Sequence, residues 1–475
     1  MRQEQKNAIR KPLKSFPEWC STHGIPYIAR STKKFWIWFW VIATLVASGI
    51  LIWQTVILLK KFFSFPVTIQ YELKFDQHIF PAVTVCNLNP YKKSVAYNFP
   101  KIERLMVTYD YMVHRVACDA DSRCSMETNQ TLEQYREMYG LVDINDTTAI
   151  QSIGRNLLGL ESAGYNLSEA VDSLDEFILS CSFNTDDCDM KNDWTSYIDA
   201  RMGSCFTFNL DQKYFVHRAG PNFGLRIIMR TNISEFLPIA DTAGMRVLIH
   251  DQTETPFPDV FGYNVEIGMS TSIGVVYTEM SRETSPYGTC SNNKPYGYLY
   301  NLNYDAEGCH RSMSQQDFVT KCGCYDPSYP KPTYSNVSNC VIPSNLNCWK
   351  QTSNDTKNYA SCKQPCDEGV YDAVISEATW PKGNFLSVGN SKNRTVYTID
   401  EVKQMAQLEV YFQQLDYERM YEKPDYTFTQ LFSEFGAQIG LWVGISIVSI
   451  IEFVVLGVLV CIAYCWPDSY DNFHL

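Results

Sequence analysis

The sequence predicts an α+β membrane protein in which two transmembrane helices bracket a large, disulfide-rich extracellular domain. Three observations predict it. Two long apolar runs lie near the ends of the 475 residues, seven N-x-S/T sequons fall between them, and 14 of the 17 cysteines fall there too. With 45% hydrophobic and 19% charged residues the chain can build a core and is not disordered. The net charge of −12, from 40 Lys+Arg against 52 Asp+Glu, excludes a nucleic-acid partner, because phosphate neutralisation needs a basic face.

The elements follow in chain order. Residues 1–34 carry eight basic and two acidic side chains and are expected to be a cytoplasmic amino terminus. Residues 35–59 hold no charge, and at about 1.5 Å per residue they are long enough to cross a bilayer core of roughly 30 Å. This run lies too far from the start for a cleaved signal peptide. Lys33 and Lys34 before it place the amino terminus inside. Residues 60–438 form the extracellular domain, with 32 basic against 47 acidic side chains. A second span, residues 439–464, contains Glu452 as its single charge and returns a short tail, 465–475, to the cytoplasm. Both termini are therefore expected inside a plasma membrane, with lipid around both spans.

The sequons stand at Asn129, Asn145, Asn166, Asn232, Asn336, Asn354 and Asn393. Fourteen cysteines between the spans is an even number, as a disulfide framework in an oxidising compartment requires. Cys20, Cys461 and Cys465 fall on or near the cytoplasmic side, the last two as lipid-facing thiols or as palmitoylation sites. Strands are expected at Val67 to Phe75, Phe80 to Cys86, "SCFTFNL", "FGLRIIMR", "MRVLIHD", "SIGVVYTEM" and, as one alternating run from Leu408, "QLEVYFQQLDYE". The stretch from Tyr91 to Ser180 is polar and helical in patches, and "TLEQYREMYG" ends at Gly140 as helices often do.

No H-E-x-x-H, G-x-S-x-G or phosphate-binding glycine loop occurs, so an enzyme is not expected and no cofactor or metal is implied. The informative residues lie in the second span. Gly444, Ile445 and Ser446 interrupt the apolar run, and Ser446, Ser449 and Glu452 recur every three residues, within an arc of about 120° on a helix. Small residues of this kind also serve close helix packing. A carboxylate at that depth, however, costs several kcal/mol on most estimates and faces a bundle interior or water. Two helices cannot enclose a water-filled path, so a pore requires several copies of the chain.

The segment "FSEFGAQIGLWVGISIVSIIE" resembles the pore helix of the degenerin, epithelial sodium channel and acid-sensing ion channel superfamily, which includes the amiloride-sensitive channels. Further matches occur in order: "STHGIPYI", "FPAVTVCNLNPY", "GSCFTFN", "MRVLIHDQTETPF", "SPYGTC", "KCGC" and "LDYE". The resemblance implies a homo- or hetero-trimer of related subunits, an ectodomain of finger, thumb, palm, knuckle and β-ball, and conduction mainly of Na⁺. By motif, Gly444, Ile445 and Ser446 would form the selectivity filter as extended backbone, Glu452 an acidic ring below it, and His23 and Gly24 a cytoplasmic re-entrant loop. Ser433 would hold the gating position, Ala437 the blocker position, and Tyr287 with Tyr71 the wrist coupling. The implied disulfides are Cys86–Cys205, Cys118–Cys124, Cys181–Cys188, Cys290–Cys366, Cys309–Cys362, Cys322–Cys348 and Cys324–Cys340. Met313 and Ala360 replace one further thumb bridge.

Departures from the pattern restrict the expectation. "PIADTAG" shortens the acidic insertion of acid-sensing members, Ala437 replaces the Gly or Ser tied to amiloride block, and Ile445 is bulkier than the usual middle filter residue. Two other readings compete: a non-conducting accessory subunit, and a two-span scavenger or adhesion receptor, which would leave Glu452 without a use. The gating stimulus is not written in the sequence.

Overall fold

The computed structural model describes residues 2–75, 78–114, 128–142, 144, 146–354, 361–383, 385–389 and 394–465. Two compact units emerge, Met1–Ile69 with Glu422–Leu475, and Gln70–Tyr421.

The first unit is helical. An amino-terminal helix, Arg2–Trp19, and a short helix, Ile25–Arg30, precede the first span, Lys34–Phe63. Ser64, Phe65 and Pro66 end that span, with Phe65 at φ 46°. The second span is two helices, Phe428–Trp442 and Ile447–Cys465. Lys34–Phe63 and Ile447–Cys465 are both long and apolar enough to cross a membrane. The helix Phe428–Trp442 starts 11 residues before the boundary read from the sequence, because local chemistry favours it. Thr427 Oγ1 accepts from the Gln430 amide at 3.3 Å and Gln430 Oε1 accepts from the Thr427 amide at 2.8 Å, a reciprocal cap. Glu434, on this helix, accepts a hydrogen bond from Tyr426 Oη at 2.7 Å.

The second unit contains two principal sheets. The larger, of eight strands, runs Val67–Phe75, Asp416–Pro424, Met269–Ser281, Met405–Phe412, Leu225–Arg230, Ile178–Phe183, Asp186–Asp187, with Asp367–Thr379 paired to Met269–Ser281 off this path. The smaller runs Tyr263–Glu266, Gly244–His250, Ala82–Asn87, Gly203–Phe208, Trp194–Asp199. Alternating apolar residues of Leu225–Arg230 and Met405–Phe412 meet Val83, Val85, Phe206, Phe208 and Val247 of the smaller sheet in one core. A second core joins the helices Pro100–His114 and Thr147–Ser162 to Phe318 and Trp349.

One expected strand is corrected. "QLEVYFQQLDYE" is not continuous: Gln407 to Phe412 pair with Ser270 to Val275, and Glu418 to Tyr421 pair with Thr278 to Ser281. The register slips by three residues between the two runs, so Gln413, Gln414 and Leu415 form a break along one edge of Met269–Ser281. The other edge is taken by Asp367–Thr379, a strand the sequence reading missed because its side chains are mostly exposed and show little apolar alternation. The helix Asn129–Met138 ends as expected, with Gly140 at φ 62°.

Candidate functional site

The break in the second span is built from small side chains. Val443 and Gly444 close the helix Phe428–Trp442: both amides donate to Ile439 O, and the Gly444 amide also to Gly440 O, at 3.0–3.1 Å. Gly444 takes φ 70°, a left-handed conformation in which a Cβ is costly, and not the extended one expected from the motif. Ser446 then starts the next helix. Its amide donates to Ser449 Oγ at 3.1 Å, its Oγ lies 3.4 Å from the Ser449 amide, and its carbonyl accepts from Ile450 at 3.1 Å. Serines three residues apart thus replace the usual Ser and Glu of a reciprocal cap.

The amino-terminal loop meets this break. The His23 amide donates to Val443 O at 2.8 Å, satisfying a carbonyl that the helix end would otherwise leave bare. Its ring occupies the space beside Gly444, where a Cβ would lie 2.4 Å from His23 Cγ. Gly24, at φ 88°, allows close approach to Thr44 of the first span, whose Oγ1 would be 2.1 Å from a Cβ. Tyr27 stacks on Trp40 with ring centres 4.6 Å apart, and Phe16 packs on Phe453 at 5.1 Å. Trp442 Nε1 donates to Gln54 Oε1 at 2.7 Å, tying the two spans together.

Sequence reasoning missed Ser21. Its amide and hydroxyl both donate to Glu452 Oε2, at 2.8 and 2.9 Å, and its Oγ lies 2.7 Å from Ser449 Oγ. Ser449 is completely buried, so the polar stripe on the second span is covered in part by residues from the other end of the chain. Only the adjacency of Ser21 to the His-Gly pair could have signalled this.

The remaining expected site residues are placed as follows. Ser433 and Ala437 lie one turn apart on an exposed face of Phe428–Trp442, beside Gly436, which has no neighbour within 4 Å of a would-be Cβ. Tyr287 lies in the turn after Met269–Ser281 with its amide donating to Thr284 O, and Tyr71 is 68% exposed on Val67–Phe75. The structure joins Cys86–Cys205, Cys181–Cys188, Cys290–Cys366, Cys309–Cys362, Cys322–Cys348 and Cys324–Cys340. Cys20, Cys461 and Cys465 are free. Asn129, Asn166, Asn232, Asn336 and Asn354 are exposed. Cys118, Cys124, Asn145, Ala360 and Asn393 lie outside the described residues. Among the described residues no group of three His, Cys, Asp or Glu side chains is placed to hold a metal ion.

Two membrane-capable helices, the second preceded by a break at Gly444 to Ser446, with a mixed sheet-and-helix domain between them in the sequence that holds six disulfides among the described residues, define a two-span membrane protein. The model of the amiloride-sensitive sodium channel family matches residues 16–456, and the chain belongs to that family. It is similar to degenerin unc-8 of Caenorhabditis elegans, 35% identical across 70% of this chain and 45% of that protein. It is also similar to degenerin mec-10 of Caenorhabditis elegans, 26% identical across 95% of this chain and 84% of that one. Degenerin-like protein asic-1 of the same organism is 34% identical across 67% of this chain and 40% of its own length. The chain spans about half the length of several curated relatives it matches, from 39% to 52%.

Proposed function

We propose that the chain is a subunit of a trimeric cation channel, conducting mainly Na⁺ through a plasma membrane, with both termini cytoplasmic and Gln70–Tyr421 outside. The observation that carries this reading is the broken second span. Gly444 to Ser446 interrupt the helical hydrogen-bond ladder within an apolar run, and Glu452 lies within two helical turns of the break. Non-helical backbone at membrane depth is tolerated where it lines water or is buried in protein. Gly444, Ile445 and Ser446 act as the selectivity filter, Glu452 as an acidic ring that concentrates cations, and His23 with Gly24 as the loop that supports them.

Assembly is supported by what one copy leaves bare. Ile69, Tyr71, Leu73 and Phe75, alternate residues on one face of Val67–Phe75, are all exposed, with Phe75 80% accessible. Ser433, Gly436 and Ala437 give the second span a small-residue face with the same lack of cover. In this reading Ser433 lies where three helices converge in the closed state and Ala437 where a blocker would meet them. Tyr287 and Tyr71 belong to the segments that relay ectodomain motion to the spans.

Voltage-clamp recording of the full chain, alone and with related subunits, tests the reading. Glu452→Gln removes the charge and nearly keeps the shape, so unitary conductance and cation-over-anion preference should fall, most visibly at low ionic strength. Unchanged values in surface-expressed, conducting channels would place Glu452 away from the ion path.

A further inference from the structure

We propose that Ser21, in the amino-terminal loop, is a positioning residue for ion discrimination, linking the filter backbone to Glu452 through a one-way chain of hydrogen bonds. The proposal rests on the ion-path reading above and adds a specific residue and a mechanism to it. The direction of the chain follows from donor counting. An ionised Glu452 can only accept, so the Ser21 amide and hydroxyl, at 2.8 and 2.9 Å from Oε2, must both donate. The Ser21 hydroxyl proton is thereby used. Ser449, 2.7 Å away, must then donate to Ser21 Oγ, and Ser449 Oγ in turn accepts from the Ser446 amide at 3.1 Å. The order is Ser446 amide, Ser449 hydroxyl, Ser21 hydroxyl, Glu452 carboxylate, with each group donating to the next.

Two consequences follow. Oε2 of Glu452 receives two charge-assisted hydrogen bonds and is held in place, while Oε1 makes none among the described residues and is the oxygen available to a cation. The amide of Ser446, at the filter end of the chain, is oriented by a carboxylate six residues further along the helix. Ser449 is completely buried in the intact chain, and it is the exposed Ser21 that covers its hydroxyl and joins it to Glu452. Neighbouring Thr22 is turned elsewhere: it is buried and its Oγ1 lies 2.8 Å from Cys20 Sγ.

The test is a double-mutant cycle on the full chain, expressed in the subunit combination that conducts. Ser21→Ala should change the Na⁺/K⁺ permeability ratio by at least about threefold, a fraction of what a hydrogen bond to a charged group commonly contributes. Ser21→Thr, which keeps the hydroxyl, should restore the ratio. In a Glu452→Ala background, where no acceptor remains at the end of the chain, the same Ser21→Ala change should have little further effect. Equal effects in both backgrounds, or no change in either, would overturn the role. A measurement independent of current tests the geometry: Ser21→Cys with Ser449→Cys, made in a Cys20→Ala background, should form a disulfide on mild oxidation of permeabilised membranes, detected as a linked peptide by mass spectrometry. Failure to link overturns the hydrogen-bond chain by itself. Absence of current from the native chain in every combination overturns the ion-path reading, and the role in permeation with it, whatever the cross-link shows.

Discussion

Replacing Gly444 by Ala tests the join between the broken span and the amino-terminal loop with a single methyl group. Two costs can be separated. Gly444 has φ 70°, and a non-glycine residue held there costs about 1–2 kcal/mol. The new Cβ would also lie 2.4, 2.5 and 2.7 Å from His23 Cγ, Cδ2 and Nδ1. That is roughly an ångström inside ordinary contact, and forced overlap of this kind costs about 1–3 kcal/mol. The total is about 2–5 kcal/mol. The second part belongs to one ring, so His23→Ala in the same chain should return it and leave the backbone part. The assay is paired: the melting temperature of the detergent-solubilised full-length protein, and the Na⁺/K⁺ permeability ratio from reversal potentials. Gly444→Ala should lower both, and Gly444→Ala with His23→Ala should be less impaired than Gly444→Ala alone. If the double variant is as impaired as the sum of the two singles, the ring does not sit beside Gly444 and the reasoning fails.

Other expectations concern the extracellular domain. Cys290→Ser with Cys366→Ser leaves Cys309–Cys362 closing most of the same loop, so the entropy released corresponds to a ring of roughly 25 residues and a loss of about 3.5 kcal/mol, read as a lower midpoint in denaturant. Burial, reinforced by Asp251, Asp305 and Glu368, pushes the Glu254 carboxyl up to about 8. Its protonated form is favoured by folding, so its contribution to stability is whole below the ordinary 4.5 and is lost as pH rises through about 8; Glu254→Gln should flatten the melting-temperature profile across that window, and an unchanged slope would contradict the assignment. Glycosidase treatment should lower the apparent mass by several glycans, and substituting the exposed Asn232 by Gln should remove one of those steps.

The fold was legible where periodicity is strong and hidden where neighbours decide. The strands Ala82–Asn87 and Gly203–Phe208 could be read because β-branched and aromatic residues fill segments buried on both faces. Asp367–Thr379 could not, since it owes its existence to pairing along Met269–Ser281 and not to an apolar pattern of its own. In the first unit the small-residue break at Gly444 to Ser446 stood out within an apolar run. The residues that surround it did not: Ser21, Thr44 and Gln54 are ordinary polar side chains in sequence. Only the folding of the amino-terminal loop onto the second span brings Ser21 within 2.7 Å of Ser449, 428 residues away. The cysteines carried a pairing only through the resemblance, because an even count fixes no connectivity.

The most direct test of the channel assignment is a recording from the full chain carrying Ser433→Trp, expressed at the cell surface alone and with related subunits. In the proposed trimer, a bulky ring on the exposed face of Phe428–Trp442 should prevent the converging helices from closing. The account predicts a standing inward current whose reversal potential follows external Na⁺ and which disappears when Na⁺ is replaced by a large organic cation. Surface-expressed variant that carries no cation current above background in any combination would contradict it.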